Sequence, residues 1–296
     1  KMAGKGALGN GGGGGNKHNT GGGGGAGYGS GGTGGNELAG CTTSGNGGIG
    51  GKSLSGADYT EKIFLGGGGG CGDENDNVGT VGANGGGIII IRANSITGNG
   101  KNIKANGDSQ LLDGTGIADG AGGGGGGGSI LLFTPQTNGN FMVQANGGNG
   151  GNQNPTVDCG GGGGGGGGGF IALQQSSLPL NVSFSVTKGN AGIIKNTTLS
   201  CFNTTYGATD GADGLAVANL AAVIDSPAFQ QDIDIVTITP TQNSCNSFDF
   251  AGFAHTNYNE ITEWSWSFGD GGAAGTQNTA HTYSKPGTYT VKLVVN

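Results

Sequence analysis

The chain has 296 residues, of which 76 are glycine, 6 proline and only 10% charged, with a formal net charge of −7. Scarce, unclustered Lys and Arg argue against nucleic acid as a partner. Collagen is excluded by the lack of a Gly-X-Y period, and no apolar run approaches the roughly 20 residues of a transmembrane segment.

Three regions follow in chain order: a glycine-rich repeat domain over 1–192, a transition segment over 193–232, and a compact β module over 233–296. The expected class is all-β. The chain opens KMAGKGALGN, with no signal-peptide pattern, and stops at VKLVVN in the middle of a predicted strand. Both ends look cut, so the chain reads as a piece of something longer.

After the first glycine runs comes an acidic stretch, CGDENDNVG, containing Asp73, Asn75, Asp76 and Asn77. Oxygen donors at the alternate positions Asp73, Asn75 and Asn77 suit calcium, but an EF-hand loop needs glycine at its sixth position and glutamate at its twelfth. Neither is present, so the stretch reads as a solvated polar turn and no metal or cofactor is assigned.

From Gly85 onward a repeat emerges. Glycine runs lead directly into IIIIRA, ILLF and FIAL, with strand starts at Ile88, Ile130 and Phe170, spaced 42 and then 40 residues apart. A second strand follows each, around Ile103, Val143 and Val186, at spacings of 40 and 43. Each unit reads as glycine run, strand, turn, strand and glycine-rich return, and three units are about the minimum for a stacked array.

A flexible linker is the ordinary fate of a Gly/Ser stretch. Ordering ten glycines costs roughly 10–20 kcal/mol of backbone entropy, so order requires dense compensation. Polyglycine II supplies it: three residues per turn, about 3.1 Å rise, and every backbone group free to bond a neighbouring chain. These runs contain almost no serine, abut strands without a spacer and recur at a fixed period. Ordered polyglycine II helices are therefore expected.

The segments Gly47–Ala57 (GGIGGKSLSGA) and Gly66–Gly72 (GGGGGCG) resemble the glycine-rich extracellular domain of the anaplastic lymphoma kinase receptor family. That resemblance implies polyglycine II helices threaded between strands. The glycine-run, strand and ANGG pattern is more similar to repeats of large bacterial surface proteins.

Chemistry is not marked anywhere. Five scattered cysteines (Cys41, Cys71, Cys159, Cys201, Cys245) include no CxxC pair, which favours one or two disulfides in an oxidising compartment over zinc or redox chemistry. His18 and His255 have no partner at a dyad-like spacing, and no GxSxG elbow occurs. No catalytic residue is assigned.

The last 36 residues carry the specific signal. Trp264, Trp266 and Phe268 alternate towards one face, as do Tyr289, Val291, Leu293 and Val295, and Lys285-Pro286-Gly287 marks a turn. Asp270, between two glycines, is placed to accept backbone N–H bonds within its own turn. The pattern W-x-F-G-D-G, H-x-Y, P-G-x-Y-x-V-x-L resembles the PKD (polycystic-kidney-disease-type) domain, with Trp266, Phe268, Asp270, His281, Tyr283 and Tyr289 at its structural landmarks.

The resemblance implies an Ig-like β-sandwich and a non-enzymatic, extracellular, cell-surface protein. Its implied partners are a surface, a glycan or another cell-surface protein, together with secretion machinery, and assembly into a filament is open to it; PKD modules joined to glycine-rich repeats are typical of very large surface proteins of gliding and environmental bacteria, many of which resemble type IX secretion cargo, including gliding-motility adhesins. The alternative is an accessory region of a secreted polysaccharide- or protein-degrading enzyme. A third reading, a receptor- or ice-binding surface on a glycine lattice, requires a sustained Thr or Asn ladder, and none stands out.

Overall fold

The computed structural model describes residues 4–41, 45–57, 59, 62–75, 79–110, 119–221, 233–256 and 260–296. Every regular element among them is a β-strand. The chain divides into two compact units, Lys1–Ala222 and Val223–Asn296.

The first unit carries β1 (Ile88–Arg92), β2 (Ile96–Thr97), β3 (Asn102–Lys104), β4 (Ser129–Phe133), β5 (Thr137–Asn138), β6 (Phe141–Gln144), β7 (Phe170–Leu173), β8 (Val182–Ser185) and β9 (Leu215–Val217). They form three parallel ladders, ordered β1-β4-β7-β9, β3-β6-β8 and β2-β5. Ile89 pairs with Ile130 and Ile130 with Ile171, so the true period of the first ladder is 41 and 41 residues, not 42 and 40. In the second ladder Val143 faces Phe184 rather than Val186. Register follows which side chains face inward, whereas a strand start read from composition can slip by a residue or two.

A fourth strand, β9, pairs with β7 and extends the array into the segment expected to be a transition. The glycine unit therefore continues past residue 192, because the shorter Gly211–Gly214 stretch leads into Leu215 as the long runs lead into β4 and β7. The apolar core lies between the ladders, where Ile130, Leu132, Val143, Ile171 and Leu173 are fully buried and Ile89 and Ile91 pack against them. Each such side chain contributes about 1.5–3 kcal/mol.

The glycine runs pack as polyglycine II. Gly161, Gly164 and Gly167 donate to the carbonyls of Asn19, Gly22 and Gly25. Gly163, Gly166 and Gly169 donate to Gly151, Gly148 and Ala145, and Gly165 and Gly168 to Thr209 and Ala212, all between 2.7 and 3.0 Å. Partners change with a period of three, as a threefold helix requires. The carbonyls of the same run accept from segments 29–35, 121–127 and 189–215. Every N–H and carbonyl of residues 163–169 thus has a partner despite the complete burial of this run, which meets the demand that buried peptide groups be bonded.

Residues 4–35 supply several of these neighbouring segments, with Gly23 and Ala26 donating to Gly13 and Asn10. Chain contributed from before the first repeat therefore threads the same lattice.

An asparagine ladder runs along the returns from the second strands. The N–H groups of Asn146, Thr187, Asn190 and Ile193 donate to the side-chain oxygens of Asn106, Asn146, Asn149 and Asn152, at 2.8–2.9 Å. Asn146, Asn149 and Asn152 recur every third residue, the period of the backbone helix that carries them. The expectation that no Asn ladder exists is thus corrected. These side-chain oxygens bond neighbouring backbone, so the ladder staples successive coils together.

Cys159 and Cys201 form a disulfide that closes the entry to the ten-glycine run and packs with buried Ile194. Beside the strands, Tyr59 lies 4.2 Å from Phe170 and 5.2 Å from Phe64. Burial, with the nearby Tyr28, pushes the Tyr59 hydroxyl up to about 12.

The second unit comprises β10 (Ile233–Gln242), β11 (Ser247–Thr256), β12 (Trp264–Ser267), β13 (Ala273–Ala274), β14 (Asn278–Thr282) and β15 (Lys292–Val295). Two antiparallel sheets, β10-β11-β14 and β13-β12-β15, enclose Phe250, Trp266, Phe268 and Tyr283. Pro240 sits on the edge strand β10, where a missing N–H is tolerated.

Candidate functional site

Two places in the described residues concentrate chemistry, one in each unit. In the C-terminal unit, alternation along β12 points Trp266 inward, and its Nε1–H bonds the Thr276 carbonyl at 2.8 Å. Phe268 stacks on the His281 ring at 4.1 Å, and His281 meets Tyr283 edge-on at 4.7 Å. Tyr283 in turn stacks on Tyr289 at 4.1 Å.

The turn after Phe268 needs its glycines. Gly269 and Gly271 have φ values of +82° and +95°, in the left-handed region that side chains disfavour. Between them Asp270 accepts the Gly272 N–H at 2.9 Å through Oδ1 and bonds His281 Nε2 at 2.8 Å through Oδ2. The backbone bond first, and His281 second, hold its carboxyl below the ordinary carboxylate range. Burial pushes the Tyr283 hydroxyl up, with Asp270 and Tyr289 adding to it. The Asp270–His281 pair fastens a turn to β14.

An open cavity of about 570 Å³ lies beside this aromatic stack, lined by Phe248, Tyr283, Tyr289 and the Lys285–Thr288 loop. Its aromatic walls and polar rim suit contact with a ligand surface.

The family model of the PKD domain matches residues 233–296. The match spans β10 to β15 and contains the whole stack from Trp266 to Tyr289. PKD domains are Ig-like sandwiches, typically extracellular, adhesive or accessory in role, and typically non-catalytic. Searches of curated proteins and of solved structures returned no match. No helix among the described residues is long and apolar enough to cross a membrane.

The second place lies in the glycine unit, where the expected solvated turn is corrected. Asp73 is only 3% exposed, because it ends the Gly66–Gly72 run inside the bundle. Its Oδ2 accepts the Asn19 N–H at 3.3 Å, and its own N–H donates to the Thr20 carbonyl at 2.9 Å. The Asn75 N–H points to Asp119 Oδ2 at 3.3 Å, and Asp119 is fully buried. The Gln153 amide donates to the Asp119 carbonyl. The Asn75 side-chain amide lies 2.7 Å from His18 Nε2, and Cys41 Sγ lies 3.5 Å from His18 Nδ1. Asp76 and Asn77 lie outside the described residues. No group of three His, Cys, Asp or Glu side chains suited to a metal gathers among the described residues; the cluster has two carboxylates, and its other oxygens are amides.

Sequence spacing alone did not connect Asp73 with Asp119 and Gln153. A usable signal was present: Thr20, Asp119 and Cys159 each precede a glycine run, so the starts of the runs fall together once the runs are bundled.

Proposed function

We propose that the chain is a non-catalytic part of an extracellular surface protein, in which the glycine unit is a stiff spacer and the PKD module a contact or spacing element. The observation that carries this reading is the joining of a PKD domain to a unit ordered chiefly by backbone hydrogen bonding. A lattice with few side chains offers little to proteases or ligands, yet resists deformation because each run is bonded on all sides. The PKD module adds an aromatic-walled cavity able to meet a glycan or another surface protein. The narrower reading, a gliding-motility adhesin exported by type IX secretion, is supported by the resemblance of the repeats and by nothing in the geometry.

The test is made on cells that produce the full-length protein. Antibody against the glycine unit should label intact cells, and deletion of residues 1–296 should reduce attachment to surfaces. Labelling only after lysis would overturn the surface reading. Unchanged attachment would overturn the adhesive one. A catalytic domain in the same polypeptide, with activity lost on deleting this segment, would favour the accessory reading instead.

A further inference from the structure

We infer that Cys41 is a nucleophilic thiol, activated by His18 and oriented through Asn75, that takes up an acyl group from an activated ester or thioester. The inference concerns the glycine unit alone and does not depend on the surface role proposed above. It adds a covalent attachment to that unit, not turnover.

Sequence spacing left His18 without a partner, and folding supplies two. Its Nδ1 lies 3.5 Å from Cys41 Sγ, within hydrogen-bonding reach of an atom as large as sulfur, and its Nε2 lies 2.7 Å from the Asn75 side-chain amide. A thiol on one ring nitrogen and an amide on the other give a nucleophile, a base and a group that orients the base.

Backbone bonds bring the three segments together. The Leu38 N–H donates to the His18 carbonyl at 3.0 Å, and the Cys41 N–H to the Leu38 carbonyl at 3.2 Å. Gly40, at a φ of +88°, makes the turn that presents Cys41. On the other side, the Asp73 N–H donates to the Thr20 carbonyl and Asp73 Oδ2 accepts the Asn19 N–H, which sets Asn75 beside His18.

The two ends of an amide have the same shape, so either end fits the contact with Nε2. With Oδ1 turned to Nε2–H, the ring keeps its proton there and Nδ1 accepts the proton of the Cys41 thiol. A thiolate beside an imidazolium is the reactive form of cysteine. It attacks the acyl carbon, the bond from that carbon to the leaving oxygen or sulfur breaks, and the Nδ1 proton passes to the leaving group. A thioester on Cys41 and one free alcohol or thiol result, with no change of oxidation state.

Cys41 is half-buried and lines a cavity of about 260 Å³ with Glu37, Asn46 and Tyr206. That is below the roughly 300–1,000 Å³ of pockets for drug-sized ligands, so the space suits a short acyl chain. Among the described residues neither Cys71, half-buried, nor Cys245, exposed, bonds an imidazole, which makes them internal controls.

Iodoacetamide labelling of the folded chain at about pH 7, below the ordinary thiol range, tests the activation when read peptide by peptide by mass spectrometry. Cys41 should react at least about tenfold faster than Cys71 and Cys245. His18→Gln keeps much of the size and hydrogen bonding but supplies no base, so it should remove that excess while the circular dichroism stays that of the wild type. p-Nitrophenyl acetate should leave an acetyl group on Cys41, with release of about one p-nitrophenolate per chain, and Cys41→Ala should abolish that release. Labelling of Cys41 no faster than that of exposed Cys245 overturns the inference, as does unchanged labelling in folded His18→Gln. Folded wild-type protein that gains no acetyl group on Cys41 overturns it as well. Should His18→Gln fail to fold, the comparison of the three thiols and the site of acetylation decide.

Discussion

Replacing Gly166 by alanine tests the lattice at its centre. A Cβ built on Gly166 would lie 2.0 Å from the Gly125 oxygen and 2.6 Å from its carbonyl carbon, both backbone atoms. Carbon and oxygen normally stay more than 3 Å apart, so the segment carrying Gly125 must move by about 1 Å. That movement strains the bonds from Gly148 N–H to the Gly125 carbonyl and from Gly166 N–H to the Gly148 carbonyl, both 2.8 Å. Overpacking of this kind costs about 1–3 kcal/mol, and two weakened buried hydrogen bonds add about 1 kcal/mol each. The sum, about 3–5 kcal/mol, lowers the melting temperature of a unit this large by roughly 6–20 °C. Gly87→Ala is the control, because nothing lies within 4 Å of its added Cβ. It should be neutral or stabilising by about 0.4–1 kcal/mol through the unfolded state. Thermal unfolding followed by circular dichroism reads both variants. Equal melting of Gly166→Ala and Gly87→Ala would refute the close-packed lattice.

Other expectations follow from single contacts. Reducing the Cys159–Cys201 disulfide, whose partners are 42 residues apart, should cost about 4 kcal/mol from the chain entropy restored to the unfolded state, read as a lower melting temperature of the glycine unit in reductant. Trp266→Ala should cost about 3–5 kcal/mol, enough to unfold much of a small β-sandwich, and near-ultraviolet circular dichroism of the PKD module reports it. Asp270 and Asp210 both titrate below the ordinary range when folded. Asp270 does so through Gly272 and His281, and Asp210 through the Ala191 N–H and Lys188. Their contribution is present above the unfolded value of about 4 and is lost as pH falls through the lower folded values. Melting followed from about pH 6 to about pH 2 should therefore fall at the acid end. Asp270→Asn should flatten that fall in the PKD transition and leave the Asp210 effect in place.

Much of the PKD module could be read in advance, because its signals are local. Alternation along Trp264–Phe268 and a Gly-Asp-Gly turn declare a strand and its exit within a few residues. The strands of the glycine unit were legible for the same reason, since a run ending in IIII, ILLF or FIAL marks where backbone packing gives way to side-chain packing.

Partnership was not legible. Nothing in the composition of residues 4–35 announces that Gly22 and Gly25 accept bonds from Gly164 and Gly167, because glycine carries no side chain to specify a neighbour. The fourth strand was missed because Gly211–Gly214 is short and interrupted by Ala212 and Asp213. The Asn ladder was missed because its period of three runs along a threefold helix, whereas a strand-based search expects two. The cluster around Asp119 depends wholly on which run lies beside which, so its members stayed apart until the bundle was seen.

Amide hydrogen exchange across Gly161–Gly169 addresses the central claim most directly. The N–H groups of the threefold pattern are buried and bonded to neighbouring segments, so the run should exchange as slowly as the strands β4 and β7, orders of magnitude below an unstructured glycine peptide. Exchange at the rate of a free peptide, with the strands still protected, would contradict the lattice and return the runs to the status of linkers.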